Sequence, residues 1–372
     1  MKICHVIYIP RFSGAEVLVS NLARKHIPEG HQISIVAIMP PDQSFAIAQQ
    51  ELASIGVMLN FPDRGLNQWQ RLQFLIQAFK QFAPDVVFAH AVIPSFYARY
   101  AVLAGLRKIP VVSVLHDGSQ DDYASDYFRL FERWLAPLPA GIVSVSETSA
   151  ENYQRRIRSK IKPQTIANGI QLEAFLAPKC DRAEVRKKIF NADDQQIVFL
   201  QVGRIASTKQ QHHSLAAFSE ALKRFNVLGK LCFVGISQDP AYEADLKQQV
   251  DRLGLTGQVL FLGVRSDIPA LLAAADIYLM PSLIEAHSVA FIEALASGIT
   301  VIASEIEPFQ FGTAFSGVHL ISPHQVDEFV QCIGDVVQAG AMRRWQRDLS
   351  EYSICKTANA YLELSKALVP VG

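Results

Sequence analysis

The sequence predicts an α/β protein made of two doubly wound parallel-sheet domains, and three observations predict it. The chain has 372 residues, more than one hydrophobic core ordinarily organises. Short runs that are apolar almost without a break recur along it, as strands must be when helices cover both faces of their sheet. Stretches with helical spacing separate these runs, and the series stops near Pro178 and then starts again.

In the first half the strand-like runs are Lys2 to Ile9, Gln32 to Met39, Asp85 to His90, Val111 to Asp117 and Gly141 to Glu147, all rich in β-branched residues. Ala15 to Lys25 and Trp69 to Phe82 lie between them with helical spacing. The series pauses around Ala167-Asn168-Gly169-Ile170 and resumes with Gln195 to Gly203, Leu231 to Ile236, Val259 to Val264, Asp276 to Ser282 and Thr300 to Ser304. The expected division is residues 1–177 and 178–350, followed by a terminal helical stretch, 351–372. No strand follows that last stretch, so its partner stays open, the first domain being one choice.

Thirty-five basic side chains balance thirty-five acidic ones, which argues against a non-specific nucleic-acid binder. Half the residues are hydrophobic, yet every long apolar run is broken too soon for a membrane span, and Met1-Lys2-Ile3-Cys4-His5 reads as a strand and not as a signal peptide. The expected compartment is the cytoplasm. Five cysteines, Cys4, Cys180, Cys232, Cys332 and Cys355, stand singly without metal-ligand or redox spacing and read as reduced structural thiols.

Ligands of open parallel sheets sit beyond the carboxyl ends of the strands. In the first half those ends carry Ser13-Gly14-Ala15-Glu16, His90, His116-Asp117-Gly118 and Ser146-Glu147; in the second, Gly203-Arg204 with Lys209, Gly235, Gly263 to Asp267 and Pro281 to Glu293. Arg204 and Lys209 supply two cations beside a glycine, near the start of a helix from Gln211 to Lys223. That pattern suits a diphosphate without a metal, though it also describes an ordinary solvated loop. Ser288 is a helix N-cap, Val289, Ile292 and Ala296 share one helical face, and Gly298 closes the helix. The first-turn amides at Ser288 and Val289 then form an anion site. Glu285 lies before that turn and Glu293 inside the helix, two carboxylates suited to hydroxyl groups of two different sugars. His90 and His116 are either site residues or satisfied histidines at the edge of a core.

Pro281-Ser282-Leu283-Ile284-Glu285, then Val289 to Gly298 and Val301-Ile302-Ala303-Ser304, resemble the signature of the family-4 retaining glycosyltransferases of GT-B fold. The two glutamates have that family's spacing. Val202-Gly203-Arg204 with Lys209, Asn168-Gly169-Ile170 with Phe175, Val145-Ser146-Glu147, Ser13-Gly14-Ala15-Glu16 and Thr357-Ala358 before Tyr361-Leu362 extend the likeness over most of the chain. The resemblance implies two Rossmann-like domains facing across a cleft, and a nucleoside-diphosphate sugar as donor. It implies a glycan or lipid-linked glycan as acceptor, and neither metal nor cofactor. By the same resemblance Arg204, Lys209 and Gly14 hold the donor diphosphate, Glu293 the ribose, Glu285 the transferred sugar, and His116 lies near that sugar and the acceptor. Attack on the leaving group's own face, with donor phosphate as base, would need no protein nucleophile.

Two departures stand out. The family usually has a Gly-Phe-Gly sequence after the first glutamate, and this chain has Ala286-His287-Ser288; a glycine often follows the lysine, and here Gln210 does. His287 and His90 are candidates for touching sugar or acceptor. Three competing readings remain. An NAD-linked oxidoreductase lacks its glycine fingerprint in Pro10-Arg11-Phe12-Ser13-Gly14. A nucleotide-sugar epimerase of the same fold does not explain the paired glutamates, and a non-catalytic nucleotide-sugar-binding partner stays open. Finally, Arg155-Arg156-Ile157-Arg158-Ser159-Lys160-Ile161-Lys162 holds five basic residues in eight, near the aromatic stretch Tyr123 to Trp134. It is either a solvated helix face or a dock for anionic lipid at the inner face of the membrane.

Overall fold

The computed structural model describes residues 1–11, 14–104, 109–116 and 125–369. The chain forms two compact units, Met1–Ile170 with Glu351–Gly372, and Gln171–Ser350.

The first unit is a parallel sheet of β1 (Lys2–Ile7), β2 (Gln32–Ala37), β3 (Met58–Asn60), β4 (Val86–His90), β5 (Val111–Leu115), β6 (Gly141–Ser144) and β7 (Gln164–Thr165), in the order β3-β2-β1-β4-β5-β6-β7. Side chains alternate across it. Ile3, Ile7, Phe88, Val112 and Val114 pack with Leu18 and Leu22 of helix Gly14–His26 and with Tyr361 and Leu362 of helix Ile354–Leu368. Cys4, Val6, Val87 and Ala89 pack with Leu75 and Phe79 of helix Gln68–Phe82 and with Ala98 and Ala101 of helix Val92–Leu103.

The second unit holds β8 (Ile197–Val202), β9 (Gly229–Val234), β10 (Val259–Phe261), β11 (Ile277–Met280), β12 (Thr300–Ser304) and β13 (Val318–Ile321), all parallel, in the order β10-β9-β8-β11-β12-β13. Phe199, Phe233 and Ile302 meet Leu215 and Phe218 of helix Gln211–Phe225 and Phe329 and Ile333 of helix Val326–Gln338. In each sheet the strand order reverses beside the first strand, between β1 and β4 and between β8 and β11, where such folds leave room for a ligand.

Three strands go beyond the sequence expectation: β3, β7 and β13. All lie at sheet edges, and none of their residues is fully buried, so they lack the two-sided apolar run that marks an inner strand. The basic run also differs from a helix face. Helix Glu147–Ile157 ends at Arg158, which takes a left-handed conformation (φ 58°), leaving Lys160 and Lys162 beyond it.

The terminal helix belongs to the first unit. Ile170 N–H donates to Tyr352 O (2.9 Å) and Ile354 N–H to Ile170 O (2.8 Å), while Thr357 Oγ1 donates to Ala167 O (2.9 Å). Gly169 lies so close that a Cβ there would stand 2.5 Å from Thr357 Oγ1 and 2.7 Å from Ile354 Cα. The separated fragments Asn168-Gly169-Ile170 and Thr357-Ala358 are therefore one packing unit.

Candidate active site

In the second unit the loop after β8 is stitched from both sides. Gln201 Nε2 donates to Lys209 O (2.8 Å), and Gln211 Nε2 to Arg204 O (2.9 Å). Leu283 N–H donates to Thr208 O (2.9 Å), tying this loop to the segment after β11. The tie brings Lys209 to Glu285: Nζ lies 2.5 Å from Oε1, and the two side chains are only 12% and 9% exposed. Arg204 Nη1 donates to Gln238 Oε1 at 2.6 Å. Gln210 holds φ 49° and ψ 46°, so a non-glycine residue supplies the left-handed turn that starts helix Gln211–Phe225. Gly235, after β9, is required by close approach, since a Cβ there would meet Gly203 O at 2.0 Å.

Helix Val289–Ala296 begins as its sequence predicts. Ser288 is the N-cap, and its Oγ accepts from Phe291 N–H (3.4 Å). Phe291 anchors this turn by stacking on Phe309 with centroids 4.3 Å apart. The first-turn amides have no partner within the helix and carry its positive end. Glu293 lies one turn in, where burial pushes its carboxyl up to about 8. His287 stacks on Phe311 (6.2 Å), and burial lowers its imidazole to about 4, so it is neutral. Lys209, Glu285, Ser288, Val289 and Glu293 thus sit on adjoining segments, with Arg204 in the same loop as Lys209.

Tyr278 is a buried neighbour of the two glutamates that the sequence hides. It stands in the apolar strand β11 and looks like core. Its hydroxyl donates to Val202 O (3.2 Å), and burial, then the charges of Glu293 and Glu285, push its phenol up. It therefore lies within electrostatic reach of both carboxylates.

In the first unit Gly14 is the first residue of helix Gly14–His26. His90 is buried, and its two ring nitrogens meet His5 Nδ1 (2.9 Å) and His116 Nε2 (2.8 Å). Only the strand alternation of His5 signals its place beside His90. Phe12, Ser13, Asp117, Gly118 and Tyr123 lie outside the described residues. In helix Asp126–Leu135, Tyr127, Leu130 and Trp134 share an exposed face, and Arg133 donates to Arg156 O (2.7 Å) at the end of the next helix. Among the described residues, no three or more His, Cys, Asp or Glu side chains gather as a metal site, and no helix is long and apolar enough to cross a membrane.

The family model for glycosyl transferases group 1 matches residues 182–352, and that for glycosyltransferase family 4 matches residues 12–174. The chain is 29% identical over 273 residues to the UDP-Gal:alpha-D-GlcNAc-diphosphoundecaprenol alpha-1,3-galactosyltransferase of Escherichia coli, covering 70% of this chain and 68% of that protein. It is 26% identical over 357 residues to the GDP-mannose:cellobiosyl-diphosphopolyprenol alpha-mannosyltransferase of Xanthomonas campestris, covering 92% and 88%. Among solved structures, Anabaena HepE in complex with UDP and glucose superposes with a TM-score of 0.82 at 20% identity, over 99% of this chain and all of that one. That likeness is one of fold.

Proposed function

Since the chain belongs to the family-4, group 1 glycosyltransferases and has their GT-B fold, we propose that it moves a hexose-type sugar from a nucleoside-diphosphate sugar, with retention of configuration and without a metal or other cofactor. The observation that carries this reading is the grouping of Lys209, Glu285 and Glu293 around the N-terminus of helix Val289–Ala296. A diphosphate there meets Arg204, Lys209 and the amides of Ser288 and Val289, which together offer charge and directed N–H donors. Glu293 accepts from the ribose hydroxyls and Glu285 from the transferred sugar. In the first unit Gly14 serves the diphosphate and His116 the sugar or the acceptor, and His287 covers the sugar.

The bond from the anomeric carbon to the diphosphate breaks, and a bond to the acceptor oxygen forms on the same face. The acceptor's proton passes to a diphosphate oxygen, so the diphosphate leaves carrying it. The protein's part is to orient the donor and stabilise the negative charge that builds on the leaving group.

The acceptor is a glycan or a lipid-linked glycan of cell-surface polysaccharide or glycolipid synthesis; both curated relatives above are named for diphosphate-linked polyprenol acceptors. Tyr127, Leu130 and Trp134, exposed in the same unit as the exposed Arg155, Arg158, Lys160 and Lys162, suit peripheral contact with anionic lipid at the inner membrane face. Flotation with anionic vesicles checks this: binding should fall when the basic residues are neutralised. For the reaction itself, the test is incubation with UDP- and GDP-sugars and a polyprenyl-diphosphate glycan. Proton NMR of the product should show a new glycosidic bond with the donor's anomeric configuration. Inverted product, epimerised donor or a requirement for added metal would each overturn part of the reading.

A further inference from the structure

Three imidazoles run in line across the first sheet. His5 lies in β1 level with Phe88, His90 ends β4 level with Val114 of β5, and His116 follows β5 directly. Alternation puts all three on the face that carries Ile3, Phe88 and Val114. Each step moves one strand across and two residues toward the carboxyl edge. The rings are 5.2 and 5.1 Å apart, and two hydrogen bonds of 2.9 and 2.8 Å join them.

The direction of those bonds follows from elementary bookkeeping of protons. Burial lowers His5 to about 3 and, with the neighbouring His116 and His5, holds His90 well below its ordinary value, so both are neutral. A neutral imidazole has one N–H and one lone pair. His90 must therefore accept at one nitrogen and donate at the other, and both bonds point the same way. The inner end, His5 Nε2, is buried and has no partner among the described residues. Were the bonds to point inward, that atom would be an orphaned N–H, the rarer and costlier defect; pointing outward, it is only an unused lone pair.

We infer that His90, backed by His5, is a positioning residue that fixes His116 as the Nδ1–H tautomer with its Nε2 lone pair already occupied. With that lone pair occupied, His116 is not a base. Its action on the sugar or acceptor rests on the transfer reaction proposed above, where the donor diphosphate takes the proton. Free histidine in water favours the opposite tautomer, Nε2–H, so the line imposes a state that His116 would not choose alone.

Long-range proton–nitrogen correlation on the full chain labelled with 15N-histidine tests this, with His116→Gln to identify the resonance. Wild type should show pyrrole-type Nδ1 and pyridine-type Nε2 at His116. His90→Asn keeps an N–H donor at the Nδ1 position and should preserve that pattern and turnover within a few-fold. His90→Phe removes the donor and should shift His116 toward Nε2–H, with kcat down about tenfold or more and KM for the donor little changed. An Nε2–H or doubly protonated His116 in wild type overturns the inference, whatever the variants do. The expected tautomer with unchanged turnover in a folded His90→Phe overturns its catalytic half. Absence of any sugar transfer by wild type, with the tautomer as expected, counts instead against the proposed reaction.

Discussion

Lys209 and Glu285 form an ion pair with little exposure to solvent, and Lys209 is also a proposed ligand of the diphosphate. In the ligand-free protein the two roles compete. Glu285→Ala should therefore depress turnover while affinity for the bare nucleoside diphosphate stays intact or tightens, because Lys209 loses its resident carboxylate. Glu293→Ala should behave in the opposite way, weakening the nucleotide roughly two- to tenfold for one hydrogen bond of about 0.5–1.5 kcal/mol, because this carboxyl, pushed up to about 8, is largely neutral at pH 7. Calorimetry with the diphosphate and turnover with the full donor, on preparations shown to be folded by circular dichroism, separate them. Unchanged turnover in Glu285→Ala, or unchanged affinity in Glu293→Ala, removes that assignment.

Glu293 also predicts a dependence on pH. Its carboxyl titrates near 8 in the folded protein, and near its ordinary value of 4.5 once unfolded. Between those limits the folded state binds a proton that the unfolded state has released, so this group's contribution to stability is full below about 4.5 and is lost as pH rises through about 8. Glu293→Gln has no such proton. Between pH 5.5 and 8.5 its Tm should fall less than that of wild type, and equal slopes would refute the burial of this carboxyl. The pair Glu285 and Glu293 was legible in the sequence because a cap, an apolar helical face and a closing glycine frame it. Tyr278 and His5 were not, because an aromatic or a lone histidine inside an apolar strand reads as core until its polar atoms are placed.

At the level of elements, the inner strands and one edge strand, β10, were legible, and the other three edges were not. A strand buried on both faces must be apolar throughout, whereas β3, β7 and β13 meet neighbours on one side only and carry residues such as Asn60, Gln164 and His319. Turn conformations at non-glycine residues were equally hidden. Ala91, directly after His90, has φ 72° and ψ 174°, a region that side chains other than glycine's rarely enter, and its N–H is held by Val114 O at 2.9 Å. Strain of this kind, beside the line of histidines, is kept by the surroundings. Ala91→Gly should relieve it and raise stability by about 1 kcal/mol, measured by denaturant unfolding. A loss of stability would show that the neighbouring packing depends on the alanine methyl.

For the whole molecule, the informative feature is that the chain leaves the first unit at Ile170 and returns to it at Glu351. The sequence left the partner of the terminal helix open, because its apolar face, Ala358, Tyr361 and Leu362, has no strand after it to fix a destination. The close approach at Gly169 settles it. Gly169→Ala places a methyl against Ile354 Cα and Ser353 O, backbone atoms that cannot rotate aside. It should cost roughly 1–3 kcal/mol, as overpacking does. Hydrogen exchange should then report faster opening of β1 and β4 with little change in β8 and β11; a uniform change in all four would argue that the two units unfold as one.

This return has a consequence for biosynthesis. Translation proceeds from the amino end, so the segment from 351 to 368 leaves the ribosome only after the whole of the second unit. During that interval the nascent first sheet shows Phe88 and Leu22 to water where Tyr361 and Leu362 will later cover them. Synthesis of the second unit is thus a waiting time for the first, some ten to forty seconds at about 5–20 residues per second. The exposed apolar face in that window is the surface on which a holding chaperone, or a neighbouring nascent chain, would act.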